Sequence, residues 1–137
     1  MTTRAEAKDI LLKEFLSSYQ LGYPVAYENN EDFTKPTDSP WIRFIIKYNP
    51  HSSQVAFGEE GRRKFERLGI IAYQVYIPLN VGSYSGNVAC DHINDIFEGN
   101  RFTDIYCEGG NWSEQGVTND EWFQFNGTIF FNFDEIK

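Results

Sequence analysis

The sequence predicts an α+β domain: a largely antiparallel β-sheet with two α-helices packed on one face, in the order α-β-β-β-α-β-β, with an extended hairpin arm. Three observations predict it. SPWIRFII (Ser39 to Ile46), the end of GEEGRRKFERLGIIAYQVYIP (Gly58 to Pro78) and EWFQFNGTIFFNFDE (Glu121 to Glu135) each alternate with period two, as strands with one apolar face do. Two other segments, one near the N-terminus and one before the last two strands, carry apolar residues at helical spacing. The 137 residues show no break in composition, so they predict a single domain, 1–137, that buries roughly 65 to 70% of its unfolded surface.

Each element has its own signal. Thr3 followed by Glu6 has capping-box spacing, which predicts a helix from about Arg4 to Tyr19, with Ala5, Leu12, Phe15, Leu16 and Tyr19 near one side and Ile10 and Leu11 flanking. Gly22 and Pro24 end it, and Val25, Ala26 and Tyr27 make a short strand before a polar connection, Asn29 to Pro40. From Trp41 onward Ile42, Phe44, Ile46 and Tyr48 share one face, with Trp41, Arg43, Ile45 and Lys47 on the other. The next strand repeats this with Ile71, Tyr73, Val75 and Ile77 inward. The segment between them, Asn49 to Lys64, is longer than a tight hairpin needs and predicts an overhanging arm. Ser83 or Ser85 starts a second helix that runs to about Glu98, with Val88, Ile93, Ile96 and Phe97 as its buried stripe and Gly99 as its stop. A strand follows at Phe102 to Glu108, then a Gly-rich loop, Gly109 to Asp120. The last strand sets Phe123, Phe125, Gly127, Ile129, Phe131 and Phe133 against Trp122, Gln124, Asn126, Thr128, Phe130 and Asn132.

Composition excludes several classes of function. With 20 acidic and 12 basic residues the chain carries a net charge of -8, which repels a phosphate backbone and disfavours sequence-specific nucleic-acid binding. Its 41% hydrophobic and 17% aromatic content is far above that of a disordered chain. No apolar run approaches about 18 residues and the N-terminus does not read as a secretory signal, so the expectation is a soluble protein made in the cytoplasm. In that reducing compartment Cys90 and Cys107 are expected to be free thiols.

The side chains that could carry chemistry do not converge. Cys90, Asp91 and His92 are adjacent, but residues two apart on a helix point about 200° apart, so Cys90 and His92 cannot grip one ion from a regular turn. His51 falls in a predicted loop, there is no nucleophile elbow, and the glycines of GEEG and GG lack the Lys and Ser/Thr of a phosphate loop. Glu59 with Glu60 and Asp134 with Glu135 are carboxylate pairs at predicted tips or ends, where solvated charge is the default. The expectation is a protein without catalytic residues, metal or cofactor.

The order of its motifs resembles the tail terminator and tail-completion proteins of long-tailed bacteriophages. The resemblance runs through PVAYEN (Pro24 to Asn30), the strand start at Pro40, Trp41 and Arg43, the Arg62 and Arg63 hairpin, the strand end Gln74, Val75, Tyr76, Ile77 and Pro78, and the strand opening Trp122, Phe123, Gln124 and Phe125. It implies a structural virion protein: a homo-oligomeric ring, usually of six copies, that caps the finished tail tube, stops its polymerisation and offers the head-joining surface. Implied partners are the tail tube protein and a head-completion or neck protein, with genome DNA passing through the lumen without sequence-specific binding. The implied place is the head-proximal end of the virion tail, after assembly in the host cytoplasm. A neck, head-completion or tube protein is the alternative, and a small hydrolase or monomeric binding module is the alternative from another class. For the subunit interface, Arg62, Arg63, Lys64 and Arg67 are candidates because Arg pairs bidentately with carboxylates, which an acidic neighbour supplies. Trp41 and Phe130, on the more polar strand faces, are either interface anchors or core beneath a helix.

Overall fold

A computed structural model describes residues 2–29, 33–49, 53–118 and 121–137, with backbone alone at 53–55. The elements are α1 (Arg4–Ser18), β1 (Val25–Tyr27), β2 (Trp41–Tyr48), β3 (Ser53–Ala56), β4 (Lys64–Pro78), α2 (Tyr84–Phe97), β5 (Arg101–Phe102), β6 (Ile105–Thr118) and β7 (Trp122–Ile136). The predicted order holds, with β3 added inside the predicted arm and a two-residue turn dividing β5 from β6. The strands form one sheet in the order β1-β2-β4-β7-β6-β5, with β3 beside β4. All pairs are antiparallel except β1 with β2.

The spine is the full-length pairing of β4 with β7, from Lys64 opposite Ile136 to Pro78 opposite Trp122. On the other flank of β4, β2 covers Gly69 to Tyr76 and β3 covers Lys64 to Glu66. Within the predicted arm β3 and Lys64 join the sheet, and the tip, residues 57–63, extends beyond the paired strands.

Register aligns the inner face in rows across three strands: Ile42–Val75–Phe125, Phe44–Tyr73–Gly127, Ile46–Ile71–Ile129 and Tyr48–Gly69–Phe131. Large residues lie over small ones. A Cβ on Gly127 would sit 2.0 Å from Tyr73 Cζ, and one on Gly69 would sit 2.3 Å from Phe131 Cζ, so each ring occupies the space that a side chain at the glycine would need.

Both helices pack on this face, as predicted. Thr3 caps α1, its Oγ1 accepting the Glu6 N–H at 3.2 Å. The buried stripe of α1 is Ala7, Leu11 and Phe15; of the predicted side, Phe15 is buried, Leu12 and Tyr19 are half-buried against the core, and Ala5 and Leu16 are exposed. Apolar residues cover more than one arc of this helix, so spacing alone does not choose between them. The choice is made by Phe15, stacked on Phe44 at 4.1 Å and parallel to Phe97 at 6.4 Å, which wedges between the sheet and α2. In α2 the predicted Val88 is exposed, and the buried face is Gly86, Ala89, Cys90, Ile93, Asn94, Ile96 and Phe97. Gly86 is needed there: a Cβ would lie 2.1 Å from Phe125 Cε2. Ser83 occupies the N-cap position of α2, although its side chain makes no cap bond, and Gly99 ends the helix region at φ +74.

The predicted loop at Gly109 to Asp120 is the largest correction, because β6 continues through it to Thr118. Its glycines serve bulges. The register with β7 shifts between Cys107 and Gly110 and again between Glu114 and Gly116, where Gly116 has φ +89. Asn119 and Asp120 lie outside the described residues.

Candidate assembly surface

The adjacent Cys90, Asp91 and His92 point three ways. Cys90 faces the core, Asp91 accepts the Trp112 indole N–H at 3.1 Å, and the His92 Nε2 accepts the Gln20 backbone N–H at 3.2 Å. The trio thus ties α2 to β6 and to the end of α1. Burial raises both thiols, Cys90 and Cys107, to about 12, with Asp91 adding to the effect at Cys90. Both cysteines are free. Among the described residues no group of three or more His, Cys, Asp or Glu side chains could hold a metal ion. His51 lies outside the described residues. Inside the core, Tyr73 donates to Asn94 Oδ1 at 2.5 Å, and its phenol is raised by burial and by the nearby Cys90, Asp91 and Glu98.

The basic cluster divides. Arg67 is only 7% exposed, and its Nε donates to Glu135 Oε2 at 2.9 Å, with the guanidinium 5.1 Å from the Phe65 ring centre. Lys64 pairs with Asp134 at 3.1 Å. Arg63 and Lys137 exchange backbone hydrogen bonds, and Arg63 Nε also donates to the Lys137 carbonyl. These three basic residues are matched by the C-terminal strand of their own chain. The register of β4 with β7 causes this, and it makes Glu135 a half of a buried pair instead of the solvated end charge the sequence suggested. Arg62 remains exposed at the tip, where its N–H closes a turn onto the Glu59 carbonyl and Gly61 takes φ +88.

The sheet face opposite the helices has two unlike ends. At one, Trp41 is 5% exposed, stacked on Tyr76 at 4.2 Å and edge-on to Trp122 at 6.2 Å. The segment after β1 covers it: Phe33 lies 5.4 Å from Trp41, and Lys35 sits 5.5 Å over Trp122 while pairing with Glu121. Trp41 is thus a core residue, though under a loop and not under a helix. A polar band follows, in which Thr118, Gln124 and Asn126 are linked by hydrogen bonds of 3.0 and 2.7 Å.

At the other end the face is open. Phe130 is 51% exposed, in one row with Ile70 and Lys47 across β7, β4 and β2, and Leu68 is exposed one row further. These side chains, with Glu108, line a groove of about 470 Å³. Sequence reasoning singled out Phe130 and missed Phe57, which stands 83% exposed at the hairpin tip. The available signal was its place just before Gly58, in a turn already expected to project.

No helix among the described residues is long and apolar enough to cross a membrane. No curated protein matches the sequence. One solved structure shares the fold with a TM-score of 0.64 at 16% identity, covering 92% of this chain and 94% of its own. The family model for phage tail terminator proteins matches residues 8–126. The match runs from within α1 through α2 and β6 to the first five residues of β7, and the chain belongs to the phage tail terminator protein family, whose members are structural components of the virion tail.

Proposed function

We propose that this chain is the tail terminator itself: copies of it, usually six in the family, close into a ring on the last layer of the tail tube. The ring stops polymerisation and presents the surface to which a head-completion or neck protein joins, at the head-proximal end of the tail. The observation that carries this reading is the family match over residues 8–126. The work is done by surfaces, without catalysis, metal or cofactor.

A closed ring needs two different patches on each subunit that fit each other. The protomer supplies a projecting tip with Arg62 and an open sheet end with Phe130, on a chain whose net charge of -8 gives a basic tip acidic neighbours to meet. Arg63, Lys64, Arg67 and Trp41 serve the same interface indirectly, by holding the tip and the sheet in shape. The same negative charge suits a lumen through which DNA passes without sticking.

The test is tube polymerisation with purified tail tube protein, read by negative-stain microscopy. Tubes grown with this protein should stop and carry a ring at one end, and Arg62→Glu should lower ring occupancy at least several-fold while leaving the melting temperature unchanged. Tubes that grow without limit, with the protein free in solution, would sink the proposal.

A further inference from the structure

The geometry points to the partner of the open groove: the hairpin tip of a second copy of this chain, with Phe57 as the inserted anchor. This rests on the ring reading and specifies its contact.

Three features support the pairing. First, Phe57 and the groove are unfilled counterparts. Phe57 is 83% exposed beside Gly58, and the groove of about 470 Å³ is floored by Leu68, Ile70 and Phe130. A groove of this size has room for a phenyl ring together with the flanking glycine backbone. Second, the two cannot meet within one chain. β3 places Ala56 opposite Lys64, so Phe57 lies beyond Lys64, at least four strand positions from Leu68 and six from Ile70. At about 3.3 Å per residue that is roughly 13 to 20 Å, and the strand pairing holds the tip pointing away. Third, the charges match. The groove has exposed Lys47 on one wall and exposed Glu108 on the other, and the tip carries Glu59 and Glu60 on one arm of its turn and Arg62 on the other. Docking the tip sets Arg62 against Glu108 and an acidic residue against Lys47, so two subunits that each carry -8 meet through two pairs of opposite charge.

Such a contact joins unlike patches, and repeated from copy to copy it closes a ring. Cysteine cross-linking on tube-capping rings tests it, because the native Cys90 and Cys107 are buried and give no background. Full-length Glu60→Cys and Asn49→Cys chains, which keep Phe57 and the groove floor, are mixed with tail tubes and treated with a short bis-maleimide. The expected product is a dimer linked between positions 60 and 49, absent when either variant is used alone. In parallel, Phe57→Ala should weaken ring formation about 10- to 100-fold, the loss expected for one buried aromatic anchor, with Phe57→Leu intermediate and the melting temperature unchanged for both. Rings that form normally with Phe57→Ala, or that cross-link position 60 to some other surface, would overturn the inference and leave the ring reading standing. A wild-type chain that never forms rings on tubes would remove both.

Discussion

Replacing Arg67 with methionine separates a role in the fold from a role between subunits. Arg67 and Glu135 bury their side chains to 8% and 12% exposure with Nε and Oε2 2.9 Å apart, near the end of the β4–β7 pairing. Removing one partner of a buried pair strands the other charge and costs about 3 to 5 kcal/mol. Two local features adjust that figure. Glu135 keeps Lys137 at 3.8 Å, a contact whose lysine is exposed and which is worth about 0 to 1 kcal/mol, and this softens the loss. The guanidinium also leaves the Phe65 face, which adds about 0.5 to 1 kcal/mol. The two adjustments nearly cancel, so the expected cost of Arg67→Met is about 4 kcal/mol, or a fall of roughly 10 to 15 °C in Tm for a domain of this size. Urea melts followed by fluorescence of the three tryptophans read it directly. The double variant Arg67→Met/Glu135→Leu should recover most of the loss, since an apolar pair of similar volume carries no stranded charge. A single variant within 0.5 kcal/mol of wild type would refute the reasoning. If stability held while ring assembly failed, Arg67 would be an interface residue, as its place in the basic run first suggested.

Two further predictions concern the core. Gly127→Ala drives a methyl group to 2.0 Å from Tyr73 Cζ, and Tyr73 is fully buried and held to Asn94, so the ring has no open space to enter; destabilisation of roughly 3 kcal/mol is expected by urea melt, against little effect for alanine at the open Gly109. The buried thiols set an alkaline limit. Cys90 and Cys107 rise from 9.0 to about 12 on folding, so above pH 9 the unfolded chain sheds protons that the folded chain keeps, and stability falls as pH climbs from about 9 toward 12. Between pH 9 and 10 the two thiols together remove about 2 kcal/mol, and a Cys90→Ala/Cys107→Ala chain should lack that slope. An identical slope in the double variant would contradict the assignment.

What was legible in the sequence was whatever depends on local period. The alternation of β2, β4 and β7 gave their inward faces correctly, because a two-residue repeat leaves no choice of side once one face is apolar. Thr3 and Gly99 marked helix ends by their own chemistry. What failed depended on contacts distant in sequence. The glycines of β6 read as a loop because a bulge and a turn use the same residue, and only pairing with β7 distinguishes them. The burial of Arg67 and Trp41 required knowing that Glu135 and Tyr76 lie opposite or beside them. Phe130 was placed correctly on the polar face, but its groove is assembled from β2, β4, β6 and β7 and has no signature in any one of them.

The sheet also bears on how copies of this chain can associate. Strand β6 pairs with β5 at only two positions, so much of its outer edge carries backbone groups without a neighbouring strand in the described residues. Such an edge could extend the sheet into the next copy, a contact that repeats without closing unless its rotation is fixed. Two bulges and the left-handed Gly116 bend β6 along this stretch, and Glu114 and Gln115 stand exposed on it, which are the devices by which sheets discourage strand addition. The opposite flank behaves differently: β3 pairs with β4 up to Ala56, with one irregularity between Gln54 and Ala56, and the β4–β7 spine is paired up to Lys64, so the base of the tip that carries Phe57 is braced on both sides of β4. A guarded edge and a braced tip together favour side-chain insertion over sheet extension. Insertion fixes the angle between neighbours through the seating of one ring in one groove, and a fixed angle is what lets a chain of copies meet its own start.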